Sequence, residues 1–236
     1  MEFFIVYVAL PALFYRILAQ TPFEQLNNVP YVIATTLATF IAFVIAFAIA
    51  VLLSRARPSD WTIAALAGSY GNIGYMGPGL ALATLGAQAA APVALIFCFD
   101  TLLLFSLVPL LMALTGERKQ SLGATAIDVV LRIVLHPLLL ATAAGVLSAA
   151  LRFEPPLALE RLLQFLQNAA APCALFTLGV TVGVRRVKRV PWDVPALIPI
   201  KLVVHPLLAL LLMSALGPFD PTWALTAVLM AALPPA

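Results

Sequence analysis

Charge is scarce in this chain: only 10% of its 236 residues are Asp, Glu, Lys or Arg, where a soluble globular domain carries about 25%. A water-facing surface cannot be built from so few ionic groups, which excludes an ordinary soluble domain. Cysteine is nearly absent. Cys98 and Cys173 both lie within apolar runs and read as small buried hydrophobes, so no disulfide framework is expected. The two histidines, His136 and His205, have no Cys or carboxylate at ligand spacing, so neither a metal site nor a cofactor is expected. Paired Asp residues and Ser-Lys or Ser-His spacings are also missing, and the chain is not expected to be an enzyme. Long polar linkers are lacking too: the widest gaps between apolar runs, at 20–30 and 151–161, are about ten residues each, leaving no room for a separate soluble domain. The net charge of +3 sits mostly in short loops, which gives nucleic-acid binding no support.

What remains is hydrocarbon. Hydrophobic residues make up 63% of the chain, and about 20 of them in helix cross a bilayer core of roughly 30 Å. On that ruler the spans fall at 3–19, 31–53, 61–85, 92–114, 124–150, 162–183 and 194–216, with 222–236 unfinished. The start Met1-Glu2-Phe3-Phe4 lacks a basic n-region and Arg16 interrupts its far end, so no cleaved leader is expected.

Basic residues alternate between loops. Arg55 and Arg57, Arg118 and Lys119, and Arg185, Arg186, Lys188 and Arg189 lie on one side of the spans, against Arg152 and Arg161 on the other. By the positive-inside rule the first residue and loops 54–60, 116–123 and 184–193 face the cytoplasm, in a plasma (inner) membrane.

The third span is interrupted. From Gly68 to Leu80 it reads Gly-Ser-Tyr-Gly-Asn-Ile-Gly-Tyr-Met-Gly-Pro-Gly-Leu, holding five of the chain's twelve glycines. Glycine costs a helix about 1 kcal/mol against alanine and proline about 3 kcal/mol, so the helix is expected to break here. Irregular backbone at membrane depth survives only where protein buries it or a cavity wets it, and Gly/Pro-interrupted apolar segments point to transporter binding sites. The expected substrate-binding residues are Gly71, Asn72, Gly74, Tyr75, Gly77 and Pro78, with Asn72 offering both donor and acceptor. Helix N-termini at the break favour a carboxylate through their unpaired N–H groups. The competing reading is that the glycines only allow close helix packing.

An internal repeat accompanies the break. Ala9-Leu10-Pro11-Ala12-Leu13-Phe14 returns as Ala171-Pro172-Cys173-Ala174-Leu175-Phe176, 161 to 162 residues later. Adding that interval to Asn72 lands on Leu233 or Pro234, where Pro234 and Pro235 forbid a continuous helix and complete the expected site. Five crossings separate the copies, so the repeat is inverted, an architecture of alternating-access carriers. The first repeat covers 1–115 and the second 124–236 of one membrane domain, with helical material expected beyond both ends. Pro11 and Pro172 are expected to kink their helices. Asp100, Arg132 and Lys201 lie well inside their spans and, with His205, are candidates for coupling or polar lining. For Lys201 the alternative is snorkelling to the interface, for Arg132 pairing with Asp100. His136-Pro137 and His205-Pro206 are expected to bend their helices, with a proton relay as the alternative.

At Tyr7-Val8-Ala9-Leu10-Pro11-Ala12-Leu13-Phe14, Asn72-Ile73-Gly74-Tyr75-Met76-Gly77 and Ala232-Leu233-Pro234-Pro235-Ala236 the sequence resembles the auxin efflux carrier family, which includes plant PIN carriers and bacterial malonate or malate permease-like members. The resemblance implies an all-α polytopic membrane protein of inverted five-helix repeats with two broken, crossing helices, similar to NhaA-like and bile-acid-symporter-like carriers, with this chain covering about eight of ten helices. It further implies a secondary transporter of a small organic anion, a mono- or dicarboxylate, working by alternating access. The expected partners are that anion, protons or another coupling ion, and the lipid bilayer; a homodimer is a further partner to consider. One departure is Gly77-Pro78-Gly79-Leu80, whose proline comes one place earlier than the family's common Gly-x-Pro-Leu. The alternatives are a channel-like pore, which needs a continuous polar lining these spans lack, and a membrane sensor or scaffold.

Overall fold

The structure is a computed structural model that describes residues 2–53, 57–74, 76–114, 122–184 and 194–235. Every regular element among them is helical, as hydrocarbon demands of backbone that must satisfy its own hydrogen bonds. Loops 116–121 and 185–193, Tyr75 and the side chain of Arg132 lie outside the described residues.

Helix α1 covers 2–19 and is π-wound at Ile5–Ala9, immediately before Pro11. The proline ring has no N–H to give and crowds the carbonyl one turn back; the wider turn absorbs that misfit, a known way for membrane helices to carry proline. Helix α2 (Val29–Leu53) has 25 residues and so spans about 37 Å. Its sequence sorts by size. Ala34, Ala38, Ala42, Ala46 and Ala50 recur every four residues on the buried face, while Ile33, Leu37, Phe40 and Val44 are exposed. That is the pattern of a helix whose bulk faces lipid and whose small residues let neighbouring helices approach.

The interrupted span becomes two half-helices, α3 (Pro58–Ser69) and α4 (Met76–Leu85). A Cβ placed on Gly68 of α3 would stand 2.6 Å from the Ala46 Cβ of α2, so these two helices touch through their smallest residues. Gly86 turns the chain at φ 80°, a positive φ that glycine adopts without steric cost, into α5 (Ala90–Leu114).

Helices α6 (Leu122–Val134) and α7 (Pro137–Leu151) replace the single span expected at 124–150. The cause is local: the residue before a proline is pushed out of the α region, and His136 is extended at ψ 123°. Then come α8 (Leu157–Val184), which runs continuously through Pro172; α9 over 194–216, π-wound at Ile200–Val204; and α10 (Pro221–Ala231). Asp220 caps α10, accepting from the Thr222 amide at 2.8 Å. The chain beyond Ala231 leaves the helix, as Pro234-Pro235 requires. Among the described residues, the helices within Phe23–Leu53, Ala87–Leu114 and Pro195–Leu216 are long and apolar enough to cross a membrane.

The helices pack around two centres, joined where α8 meets α4 and α1 meets α5. On one side α1 packs on α7 so closely that a Cβ on Gly145 would lie 2.7 Å from the Tyr15 carbonyl oxygen, and Arg16 Nε donates to Glu160 Oε1 of α8 at 2.6 Å. On the other, α2 gathers α3, α5, α9 and α10 around the break, with Ala38, Ala209 and Ala231 in one small cluster.

Candidate functional site

The two interruptions meet. The Asn72 amide donates to the Pro234 carbonyl at 2.8 Å, and Gly71 and Pro235 form an antiparallel β-bridge. Each break therefore supplies backbone partners to the other, which keeps both viable inside a bilayer.

Asn72 also starts α4. Its carbonyl oxygen accepts from the amides of Met76 and Gly77 at 3.1 and 2.9 Å, and its Oδ1 accepts from Met76 at 3.2 Å. The first amides of the half-helix are thus turned onto Asn72 itself, the standard work of an N-cap. Pro78 falls in the first turn of α4, where a missing N–H costs nothing. At the opposite break, the carbonyl of Ala231 ends α10 and accepts from the Lys201 ammonium, a cation placed at the negative end of a helix.

Glycine lets these parts touch. A Cβ on Gly71 would stand 3.1 Å from Lys201 Nζ and 3.2 Å from the Met230 carbonyl oxygen; one on Gly77 would stand 2.7 Å from Met230 Cε; one on Gly74, 3.3 Å from the Phe97 ring. Close packing is therefore part of what these glycines do.

Lys201 belongs to the π-wound turn of α9 and is 1% exposed, so it does not snorkel. Its Nζ is 3.0 Å from His205 Nδ1, His205 Nε2 is 3.2 Å from Thr39 Oγ1, and Thr39 Oγ1 donates to Asp100 Oδ2 at 2.8 Å. Buried groups of α9, α2 and α5 are joined in one chain. It borders a cavity of about 10 Å³ lined by Thr35, Thr39, Gly71, Asp100, His205 and Met230, among others. That is room for about one water.

The structure brings Gly71, Asn72, Pro234 and Pro235 together, and gathers Asp100, Lys201 and His205 beside them. Gly74 and Gly77 hold the crossing against Phe97 and Met230. Tyr75 and the Arg132 side chain lie outside the described residues. Pro11 and Pro172 lie in α1 and α8 and do not line the cavity at the crossing. His136, at the α6–α7 break, packs on the rings of Phe97 and Phe105 with centroids 6.3 and 6.0 Å away.

Thr39 was not among the residues expected from sequence, because one hydroxyl in an apolar helix commonly bonds its own backbone. One signal existed: Thr39 stands 162 residues before Lys201, the interval that separates the two Ala-Leu-Phe stretches.

Residues 1–236 match the family described as Membrane transport protein. A Rhizobium meliloti (strain 1021) protein named "Putative malonate transporter" is 48% identical over 233 residues, covering 99% of this chain and 73% of its own length.

Proposed function

Since the chain belongs to the Membrane transport protein family and is a multi-pass membrane transporter, we propose that it carries a small organic anion by alternating access, binding it where the two helix breaks cross. The observation that carries this reading is the Asn72–Pro234 contact, which joins both breaks at one point. Three things favour an anion there: the positive N-terminal end of α4, the Lys201 ammonium against Gly71, and the name of the Rhizobium relative, which makes a dicarboxylate of malonate size the first candidate.

The cavity, at about 10 Å³, is far smaller than any dicarboxylate. Admission then requires the α3–α4 and α10 breaks to shift against the α1, α7 and α8 group, and opening alternately to each side is transport. In this reading 1–115 and 124–236 are inverted repeats of one domain, and loops 54–60, 116–123 and 184–193 face the cytoplasm.

The test is uptake of labelled malonate, and of a panel of mono- and dicarboxylates, by the full-length protein in proteoliposomes. Saturable uptake stimulated by unlabelled substrate on the far side is expected of a carrier; non-saturating flux without that stimulation would indicate a pore. Asn72→Ala is expected to lower uptake at least about tenfold, a loss of roughly 1.4 kcal/mol in the transition state. Unchanged saturable uptake in that variant would reject the site.

A further inference from the structure

The chain of Lys201, His205, Thr39 and Asp100 has a direction. An ammonium has no lone pair, so Lys201 must donate to His205 Nδ1, which leaves the proton of the neutral ring on Nε2. That N–H donates to Thr39, whose hydroxyl donates to Asp100 Oδ2. Every donor points from the cation toward the carboxylate. Oδ2 is filled by this arrangement. Oδ1 of the same carboxylate is buried, has no hydrogen-bond partner among the described residues, and belongs to a side chain that lines the crossing cavity.

An organic anion entering that cavity meets Asp100. Two carboxylates at hydrogen-bond distance cannot both stay ionised and instead share a proton. The oxygen left without a partner is the one free to hold it. We propose that Asp100 takes up one proton on Oδ1 for each anion carried, which makes the protein a proton–anion symporter. The proposal rests on the anion-carrier reading above. The proton comes from water on the side to which the site is open, forms the Asp100 Oδ1–H that donates to the substrate carboxylate, and leaves to water with the anion on the other side. Lys201 is held in place by His205 and the Ala231 carbonyl.

The other titratable groups around Asp100 are few. Tyr31 of α2 and the Tyr70 that ends α3 lie within electrostatic reach of the carboxylate. Cys98 is on α5 itself, His136 packs against Phe97 and Phe105, and Arg132 stands on α6, which packs against α5.

The experiment uses full-length protein in proteoliposomes loaded with a pH-sensitive dye, with labelled malonate as probe and the membrane potential clamped by potassium and valinomycin. With one proton per anion, one unit of pH gradient, acidic outside, is expected to accumulate substrate about tenfold in the wild type and to acidify the lumen as malonate enters. Asp100→Asn, whose side chain cannot take up and release a proton, is expected to lose both accumulation and lumen acidification. Saturable wild-type uptake that ignores the gradient and moves no protons overturns the proposal alone; so does Asp100→Asn that still accumulates substrate. Absence of saturable carboxylate uptake in the wild type overturns the carrier reading and this proposal with it. If Asp100→Asn does not insert, the wild-type dye signal decides, and Thr39→Val, which frees Oδ2 as well, is expected to shift the pH dependence of uptake while the gradient still drives it.

Discussion

Asn72 donates its backbone amide to the carbonyl of Pro234 at 2.8 Å and accepts at Oδ1 from the amide of Met76 at 3.2 Å, so one residue both ties the two breaks together and starts the half-helix α4. The two duties are separable. Asn72→Ala keeps the backbone tie and loses the side-chain cap, and is expected to cost about 1 kcal/mol of stability. Asn72→Asp keeps an acceptor and adds a negative charge at a helix N-terminus, where charge of that sign is favoured, so it is expected to melt at or above the alanine variant. Thermal unfolding in one detergent compares them; an aspartate variant less stable than the alanine one would contradict the capping role.

The glycines at the crossing differ in what they face. A methyl on Gly71 meets the Met230 carbonyl and the Lys201 ammonium, whereas a methyl on Gly77 meets the flexible end of the Met230 side chain. Gly71→Ala is therefore expected to impair transport more than Gly77→Ala. Overpacking of this kind costs about 1–3 kcal/mol, and Met230→Ala is expected to rescue Gly77→Ala but not Gly71→Ala. A double-mutant cycle on melting temperature and uptake reads both.

The two His-Pro pairs separate in the same way. His205 bonds Lys201 and Thr39 through its two ring nitrogens, while His136 has a buried Nδ1 with no partner among the described residues and sits against two phenylalanine rings. Removing a buried polar atom that lacks a partner costs nothing in hydrogen bonding. His136→Phe is expected to retain at least half of wild-type uptake, and His205→Phe to lose about 90% or more, measured at equal protein incorporation.

Away from the crossing, Gly145 fixes the α1–α7 contact, where an added methyl would stand 2.7 Å from backbone. Backbone cannot swing aside as a side chain does, so Gly145→Ala is expected to destabilise by about 1–3 kcal/mol with the KM of surviving protein unchanged. Melting temperature and uptake kinetics check the two halves of that statement.

Much of this was legible in the residues. Glycine and proline announce broken helix wherever they cluster at membrane depth, and Gly71-Asn72 and Pro234-Pro235 did so. The His-Pro pairs were harder, because identical dipeptides took opposite courses. His136 left the helix at ψ 123°, whereas His205 stayed helical at φ −61° and ψ −50° behind a π-wound turn. That turn ends two residues before Pro206, just as the π-wound turn of α1 ends two residues before Pro11, and the dipeptide alone does not announce it. Thr39 was harder to read because its role comes from Asp100, 61 residues away. The family match added a frame for the chain, and the crossing contacts bring its two helix breaks together.

The most direct test of an anion site at the crossing is equilibrium binding of labelled malonate to the purified full-length protein, with Asn72→Asp beside the wild type. The account predicts saturable binding to the wild type, displaced by unlabelled malonate. Binding to Asn72→Asp should be at least about tenfold weaker, since the added charge repels the anion, while the variant melts within a few degrees of the wild type. Equal affinity in the two proteins would contradict the account.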